Sequence, residues 1–381
     1  MMRPVKLAGN ELMFGKGCLE YIKGMTYKRV SIVIGGSSME KSGILDKVCG
    51  YFKETGAEIQ VIRGVEPDPG IATVLRGAAQ MLEFGPDLIV GLGGGSVMDA
   101  AKTMWIYYEH PELKTLEDIM PPNPFPKLRA KAHYACIPST SGSASEVSRS
   151  IVITDEHSRK RGLGNMEMMP DIAICDPEVC ASMPPHVTAE TGMDALTHAL
   201  EALVSNRAHY LSNVLAVQAA KDIIKWLPKA YENGKDLEAR EMMANASMTA
   251  GMAFTNVSLG IVHSIAQTLG GFYHISHGLA DAVVLPYIVK YNSLEPYAKK
   301  IYDEFAASIG STDLVQTIRE MNRKLGIPDK LQDVLTDEAD YMAHIDEMAE
   351  VAKADGCTKT NPIIPSVEEF KNLLLVCYKG E

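Results

Sequence analysis

The amino-acid sequence predicts an α/β domain with a mainly parallel sheet, followed by an all-α domain. Short β-branched runs alternate with helical stretches in the first half, and long runs rich in Ala, Leu, Met, Glu and Lys fill the second. Strands that alternate with helices are typical of a parallel sheet covered on both faces. The 381 residues, 46% of them hydrophobic, also suffice for two separate cores, since domains usually hold about 100–200 residues.

Strand-like and helix-like segments alternate up to about residue 181. The predicted strands are 28–36 (KRVSIVIGG), 57–65, 86–96 (PDLIVGLGGGS), 133–140, 150–155 and 171–176, and the predicted helices between them are 37–56, 69–85 and 97–109. After the Pro-Pro pair at 184–185 the sequence turns to long helical stretches such as 212–234. We therefore expect an α/β domain over residues 1–181 and a helical domain over residues 182–381.

Composition excludes several classes of function. The net charge is −11 and basic residues form no long run, so a nucleic-acid partner is not expected. No apolar segment reaches the length of a membrane span, and the first residues do not resemble a signal peptide, so we expect a cytoplasmic protein without a membrane partner. The seven cysteines are scattered without a C-x-x-C pair, which favours reduced thiols.

A glycine-rich turn follows the predicted strand at 86–93. Gly93, Gly94, Gly95 and Ser96 lie where a strand meets a helix, and there backbone N–H groups can bind a phosphate or pyrophosphate. Ser96 occupies the place of the third glycine of G-x-G-x-x-G, so the fingerprint is incomplete. A glycine turn without a ligand stays open as the alternative.

A second turn follows the first predicted strand. Gly36, Ser37 and Ser38 stand where an NAD-selective site usually places a carboxylate, and Lys41 follows one turn later. Hydroxyls, amide N–H groups and a lysine would tolerate the 2′-phosphate of NADP. The same residues would also fit a helix N-terminus capped by serine.

A third group of residues predicts a metal site. Asp194 and His198 lie four residues apart in VTAETGMDALTHALEALVS (187–205) and therefore share one side of a helix. The segment 260–278, GIVHSIAQTLGGFYHISHG, adds His263, His274 and His277. One carboxylate with neutral imidazoles would suit Fe²⁺ or Zn²⁺. The alternative is an aspartate that pairs with a base or caps a turn, beside histidines satisfied in the core.

Over essentially its whole length the sequence resembles the iron-containing (group III) alcohol dehydrogenases. It is similar to butanol- and lactaldehyde-type dehydrogenases and to the alcohol dehydrogenase half of bifunctional aldehyde/alcohol dehydrogenases. The resemblance is carried by GLGGGSVMDAAK (91–102), IPSTSGSASEV (137–147), TGMDALTHALEA (191–202), AGMAFTNVSLGIVHSIAQTLGGFYHISHG (250–278) and TNPIIPS (360–366). It implies a Rossmann-like N-terminal domain and an all-α C-terminal domain, the dehydroquinate synthase-like fold.

The resemblance also assigns roles to individual residues. It implies that the metal ligands are Asp194, His198, His263 and His277, with His274 outside the set. Phe254 would line the substrate pocket, and Gln267 would lie near the nicotinamide in place of a histidine that many relatives carry. The implied cofactor contacts are Gly36, Ser37, Ser38, Gly93, Gly94, Gly95, Ser96, Asp99, Thr140, Ser143 and Lys160.

The expected activity is hydride transfer between the nicotinamide C4 and a metal-bound primary alcohol or aldehyde. NADP(H) is favoured over NAD(H), because Gly36 stands where NAD-dependent relatives have an aspartate. Fe²⁺ is the expected ion with Zn²⁺ as the alternative, and a homodimer is implied. Two other readings stay open: a zinc-dependent polyol dehydrogenase of the glycerol type, and a non-catalytic assembly protein with this fold.

Overall fold

The computed structural model describes residues 4–156 and 159–380. The chain forms two compact units, Met1–Met183 and Pro184–Glu381. The first unit is α/β and the second is helical, as the sequence predicts. Within the described ranges, no helix combines the length and the apolar character needed to cross a membrane.

The first unit is built on a six-stranded parallel sheet. The described part of the unit contains the strands Glu11–Phe14 (β1), Arg29–Val33 (β2), Glu58–Ile62 (β3), Leu88–Gly93 (β4), His133–Pro138 (β5), Ser150–Thr154 (β6), Lys160–Gly164 (β7) and Ile172–Cys175 (β8), of which all but β6 and β7 belong to this sheet. The sheet order is β1-β8-β5-β4-β2-β3, and β6 and β7 form a separate antiparallel pair. All six residues of β4 are buried, because apolar clusters cover both faces of the sheet.

The first four helices of the first unit connect strands β2 to β5, and a fifth follows β8. They are Ser38–Lys41 (α1), Ile44–Glu54 (α2), Ile71–Phe84 (α3), Gly95–Glu109 (α4) and Pro177–Cys180 (α5), with 3₁₀ turns at Cys18–Gly24, Glu117–Ile119, Ser145–Val147 and Met166–Met168. The predicted helix 37–56 is two helices, because Gly43 between them has φ 76° and ends the first. That left-handed backbone conformation favours glycine.

The parallel pairing brings three loops to one edge of the sheet. Strands β2, β4 and β5 are neighbours, and Val33 pairs with Gly91 while Gly93 pairs with Pro138. The carboxyl ends of parallel strands meet at the same edge, where open α/β sheets bind ligands. The segments that follow β2, β4 and β5 therefore emerge side by side.

The second unit is composed of long helices. They are Pro185–Val204 (α6), Tyr210–Glu232 (α7), Leu237–Val257 (α8), Ile261–Tyr273 (α9), His277–Asn292 (α10), Pro296–Ser308 (α11), Leu314–Lys324 (α12), Glu338–Ala354 (α13) and Val367–Lys379 (α14), with 3₁₀ turns at Leu331–Asp333 and Cys357–Thr360. Helix α6 packs against α7, α8 and α10, and α9 packs against α10 and α13. This packing brings the motif-bearing helices α6, α9 and α10 together.

Candidate metal and cofactor sites

A cluster of acidic and histidine side chains lies inside the helical unit. Asp194 and His198 lie one turn apart on α6, His263 is in the first turn of α9, and His277 is the first residue of α10. The structure thus brings together all four ligands that the sequence predicts. His277 is 34% exposed at its side chain, whereas the other three are almost fully buried.

Short distances join these groups around Asp194. Its Oδ1 lies 3.3 Å from His198 Nε2 and 3.6 Å from His263 Nε2. The rings of His198 and His263 stack with centroids 4.7 Å apart. One ligand atom from each of Asp194, His263, His277 and Asp281 lies within 4.8 Å of the others. Asp281 is therefore an additional member of the cluster.

The cluster fits a divalent cation because several of its buried polar atoms have no other partner. Among the described residues, Asp194 Oδ1, His263 Nε2 and both carboxylate oxygens of Asp281 make no hydrogen bond. Buried polar atoms are almost always hydrogen-bonded, and buried charges are usually paired or bind a metal. Carboxylate oxygens and imidazole nitrogens are donors that Fe²⁺ and Zn²⁺ both accept.

The acidic and histidine side chains of the cluster shift one another's pKa values. Burial alone would raise the pKa of Asp194, but His198, His263 and His277 hold it below its usual value. Burial raises the pKa of Asp281 well above its usual value, although the nearby His263 opposes this effect. Burial alone would lower the pKa of His263, but Asp281 and Glu201 raise it well above the usual value. Protons therefore compete with a cation for these groups.

Glu201 orients His263, a role that sequence reasoning did not assign. Its carboxylate accepts hydrogen bonds from the backbone N–H of Gly260 at 2.9 Å and of Val262 at 2.7 Å. It also lies 2.7 Å from His263 Nδ1. A proton on Nδ1 that is donated to Glu201 leaves Nε2 to face the cluster with its lone pair. The sequence contained a clue to this role, since Glu201 lies seven residues, or about two helical turns, after Asp194 and therefore on the same face of α6.

Asp281 was also missed, although its spacing repeats a pattern already used. It lies four residues after His277 on α10, as His198 lies four residues after Asp194 on α6. Its Oδ2 is 3.3 Å from His277 Nε2, and its side chain is fully buried. A carboxylate and a histidine one helical turn apart share a face in both helices.

The other predicted residues of the helical unit take different positions. The Phe254 ring packs on the His198 ring with centroids 4.4 Å apart. Gln267 Nε2 lies 4.0 Å from Cys357 Sγ. His274 is exposed in a left-handed conformation at the end of α9, with φ 54°, and is not part of the cluster.

In the first unit, the glycine turn between β4 and α4 packs closely against the loop after β5. A Cβ atom on Gly95 would lie 2.8 Å from Ser143, and one on Gly94 would lie 3.3 Å from Thr140. Thr140 and Ser143 therefore border the turn that carries Ser96. No side chain of the described residues caps the N-terminus of α4. The first backbone N–H groups of α4 are therefore available to bind an anion.

Asp99 and Lys160 are each engaged by neighbouring groups of the first unit. The half-buried Asp99 carboxylate accepts hydrogen bonds from Ser145 Oγ at 2.7 Å and from Val152 N–H at 2.9 Å. Burial raises the pKa of Asp99. Lys160 Nζ lies 2.8 Å from Asp68 Oδ1. In the structure Asp99 holds the loop after β5 in place.

Gly36, Ser37 and Ser38 lie just after β2, at the edge shared with the glycine turn. A Cβ atom on Gly36 would meet nothing within 4 Å. Ser37 precedes α1 without a capping hydrogen bond from its side chain, and Lys41 is exposed. This edge therefore has room for an added group and carries no carboxylate at position 36.

Comparisons with known proteins agree with this arrangement. Residues 9–177 match the family described as iron-containing alcohol dehydrogenase, and residues 188–378 match its C-terminal part, the Fe-containing alcohol dehydrogenase family, C-terminal. The chain is 45% identical to an NADPH-dependent butanol dehydrogenase from Clostridium saccharobutylicum, over 97% of each chain. It is 35% identical to the bifunctional aldehyde-alcohol dehydrogenase AdhE of Escherichia coli (strain K12), over 92% of this chain and 43% of that protein. An iron-containing alcohol dehydrogenase from Thermococcus thioreducens superposes with a TM-score of 0.93 at 36% identity, covering 99% of this chain and 100% of that one.

Proposed function

Because the chain belongs to the iron-containing alcohol dehydrogenase family and is an alcohol dehydrogenase, we propose that it interconverts small primary alcohols and aldehydes with Fe²⁺ and NADP(H). The observation that carries the proposal is the buried cluster whose Asp194 and His263 atoms have no other partner. The proposed ligands are Asp194, His198, His263 and His277. Zn²⁺ is the alternative ion, since the same donors bind it.

A bound divalent cation supplies Lewis acidity, which polarises a carbonyl and stabilises negative charge on oxygen. The chain supplies the geometry for that chemistry. Glu201 holds the proton on His263 Nδ1 and so keeps Nε2 directed at the cluster. The Phe254 ring, packed on His198, gives that side of the cluster an apolar surface that favours an alkyl chain.

Gln267 changes how a proton can reach the product. A side-chain amide does not change its charge near neutral pH, so Gln267 can orient a hydroxyl or a water but cannot relay a proton by titrating. His274 is exposed at the end of α9 and lies outside the cluster. We therefore propose that water or a ribose hydroxyl of the cofactor carries the proton.

We propose that the cofactor binds at the edge formed by the loops after β2, β4 and β5. Gly93, Gly94, Gly95 and Ser96 would bind the pyrophosphate through backbone N–H groups and the α4 N-terminus. Thr140, Ser143 and Lys160 would make further contacts, and Asp99 would support them by holding the loop.

We propose a preference for NADP(H) because of the residues that follow β2. The open space beside Gly36 would admit a 2′-phosphate, which Ser37 and Ser38 can hydrogen-bond and Lys41 can neutralise. No carboxylate stands at position 36 to repel the phosphate or to select a free ribose hydroxyl. The name of the NADPH-dependent relative at 45% identity points the same way.

We also propose a cytoplasmic homodimer. Strand β1 lies at an edge of the sheet, and its last residue, Phe14, is 58% exposed. An edge strand that ends in an exposed aromatic residue is a common place for chains to associate. Sedimentation analysis of the wild type beside Phe14→Ser would test this: a wild-type monomer at micromolar concentration would contradict it.

The central experiment is anaerobic reduction of butanal by protein stripped of metal and reconstituted separately with Fe²⁺ and Zn²⁺. NADPH and NADH are compared in each case. We expect turnover only after metal is restored, with a higher kcat/KM for NADPH. Equal turnover by the stripped protein would contradict the metal mechanism, and activity confined to polyols would favour the glycerol-type reading.

A further inference from the structure

Asp281 is buried in the helical unit without a conventional partner. Its side chain is 0% exposed, and neither carboxylate oxygen makes a hydrogen bond among the described residues. Burying a carboxylate in this state is unfavourable unless a cation or a proton compensates it. A structural carboxylate would instead accept hydrogen bonds from backbone N–H groups, as Glu201 does from Gly260 and Val262.

Asp281 lies among the proposed metal ligands. Its ligand atom lies within 4.8 Å of those of Asp194, His263 and His277. Its Oδ2 lies 3.3 Å from His277 Nε2. Two donors bound to one ion at about 2.1 Å lie about 3.4 Å apart at tetrahedral angles and about 4.2 Å apart when opposite. The distances of 3.3 and 3.6 Å from Asp194 to His198 and His263, and of 3.3 Å from Asp281 to His277, are thus those of neighbouring ligands, whereas the 4.8 Å span of the whole group requires the side chains to close slightly around an ion.

A purely orienting role predicts a different arrangement. If Asp281 only oriented His277, then His277 Nε2 would carry a proton and donate it to the carboxylate. That nitrogen could not then bind an ion, and His277 would have to bind it through Nδ1. Asp281 Oδ1 would also need a donor of its own, whereas His263 Nδ1 lies 4.0 Å away and is 2.7 Å from Glu201.

We propose that Asp281 is a fifth ligand of the metal, so that the ion is held by two carboxylates and three histidines. This inference rests on the proposed function, because it concerns the same ion. With two carboxylates the site around a divalent cation is neutral, whereas one carboxylate would leave it with a charge of +1. More oxygen donors favour Fe²⁺ and Mn²⁺ over ions that prefer nitrogen and sulfur.

The test compares wild type with Asp281→Asn, which keeps the size of the side chain and removes its charge. Metal is removed with a chelator, Co²⁺ is titrated as the probe, and its dissociation constant and visible absorption are recorded. The intensity of cobalt absorption rises as the number of ligands falls. We expect the dissociation constant to rise at least about tenfold and the absorption to intensify.

Two further variants make the result decisive. Asp281→Glu keeps a carboxylate and should retain a spectrum like that of the wild type. Asp340→Asn makes the same substitution in another aspartate–histidine pair four residues apart, the exposed pair Asp340 and His344, and should change nothing. If Asp281→Asn takes up no cobalt, the spectrum of Asp281→Glu decides whether Asp281 is a ligand. A cobalt spectrum like that of the wild type supports ligation by the carboxylate, and a different spectrum overturns it.

An unchanged cobalt spectrum in Asp281→Asn would overturn the inference whether or not affinity falls, because lost affinity alone fits an orienting residue. Failure of the wild type to bind any divalent cation would instead refute the proposed function. The two failures are therefore distinguishable.

Discussion

Replacing Glu201 with glutamine tests whether this side chain orients His263. The carboxylate accepts from Val262 N–H at Oε1 and from Gly260 N–H and His263 at Oε2. An amide has one acceptor atom, so one buried backbone N–H must face an NH₂ group, at a cost of about 1–3 kcal/mol. The other two bonds lose their charge, which weakens each by about 1 kcal/mol.

The expected loss for Glu201→Gln is therefore roughly 3–5 kcal/mol in the metal-free protein. For a unit of about 150–250 residues this lowers the melting temperature by roughly 6–20 °C. Because the proton on His263 is held less firmly, metal affinity should fall by about 10–100-fold. Differential scanning calorimetry of the metal-free protein and competition with a chelator measure the two effects.

Glu109→Gln is the matched control. Glu109 is also buried and accepts hydrogen bonds from the backbone N–H groups of Ala130, Lys131 and Ala132, but it lies in the first unit. It should lose comparable stability and keep the metal affinity of the wild type. Our interpretation of Glu201 is refuted if Glu201→Gln is destabilised while its metal affinity stays within about threefold of the wild type, given the tenfold minimum expected.

Three further substitutions test other parts of the proposals. Gly36→Asp should shift the ratio of kcat/KM for NADPH and NADH towards NADH, because the new carboxylate has room and would repel a 2′-phosphate; an unchanged ratio would contradict the placement of that phosphate. His263→Ala should abolish metal retention, measured by elemental analysis, and leave NADPH binding near normal, with exposed His344→Ala as the control. Burial raises the pKa of Glu146 from its usual value of 4.5 to about 7. Because the folded pKa is raised, the folded state holds this proton more tightly, so stability should fall as pH rises from about 4.5 to about 7, by about 3 kcal/mol in total. Glu146→Gln should raise the unfolding midpoint of its unit at pH 8 and have little effect at pH 4.5, and an equal effect at both pH values would disprove this assignment.

Local sequence was enough to predict the fold wherever a segment is buried on both faces or strongly periodic. The apolar run at 86–93 gives β4, and helices α3 and α4 begin and end close to their predicted positions. Strands β1 and β7 were not predicted. β1 has four residues, with both ends exposed, and β7 is the polar stretch KRGLG, so neither shows the expected pattern.

For the metal cluster, spacing and resemblance indicated Asp194, His198, His263 and His277, and the structure brings them together. Glu201 and Asp281 could not be selected in the same way. A carboxylate in a helix is most often exposed, and only the packing of α6, α9 and α10 reveals that these two are buried beside histidines. Helical spacing shows which residues share a face, but it does not show what that face contacts.

The position of the cluster along the chain bears on how the protein acquires its ion. The proposed ligands lie on three helices, and His263 follows His198 only after the whole of α7 and α8. Closing a loop of that length in an unfolded chain costs about 1 kcal/mol more than in a small zinc finger, and ordering three separate helices costs more still, so we expect the ion to bind after the helices have packed. On this expectation the helices assemble a site with buried carboxylates before the ion binds. Metal uptake is then a late step of maturation, and the active fraction in a cell would follow metal supply rather than folding yield.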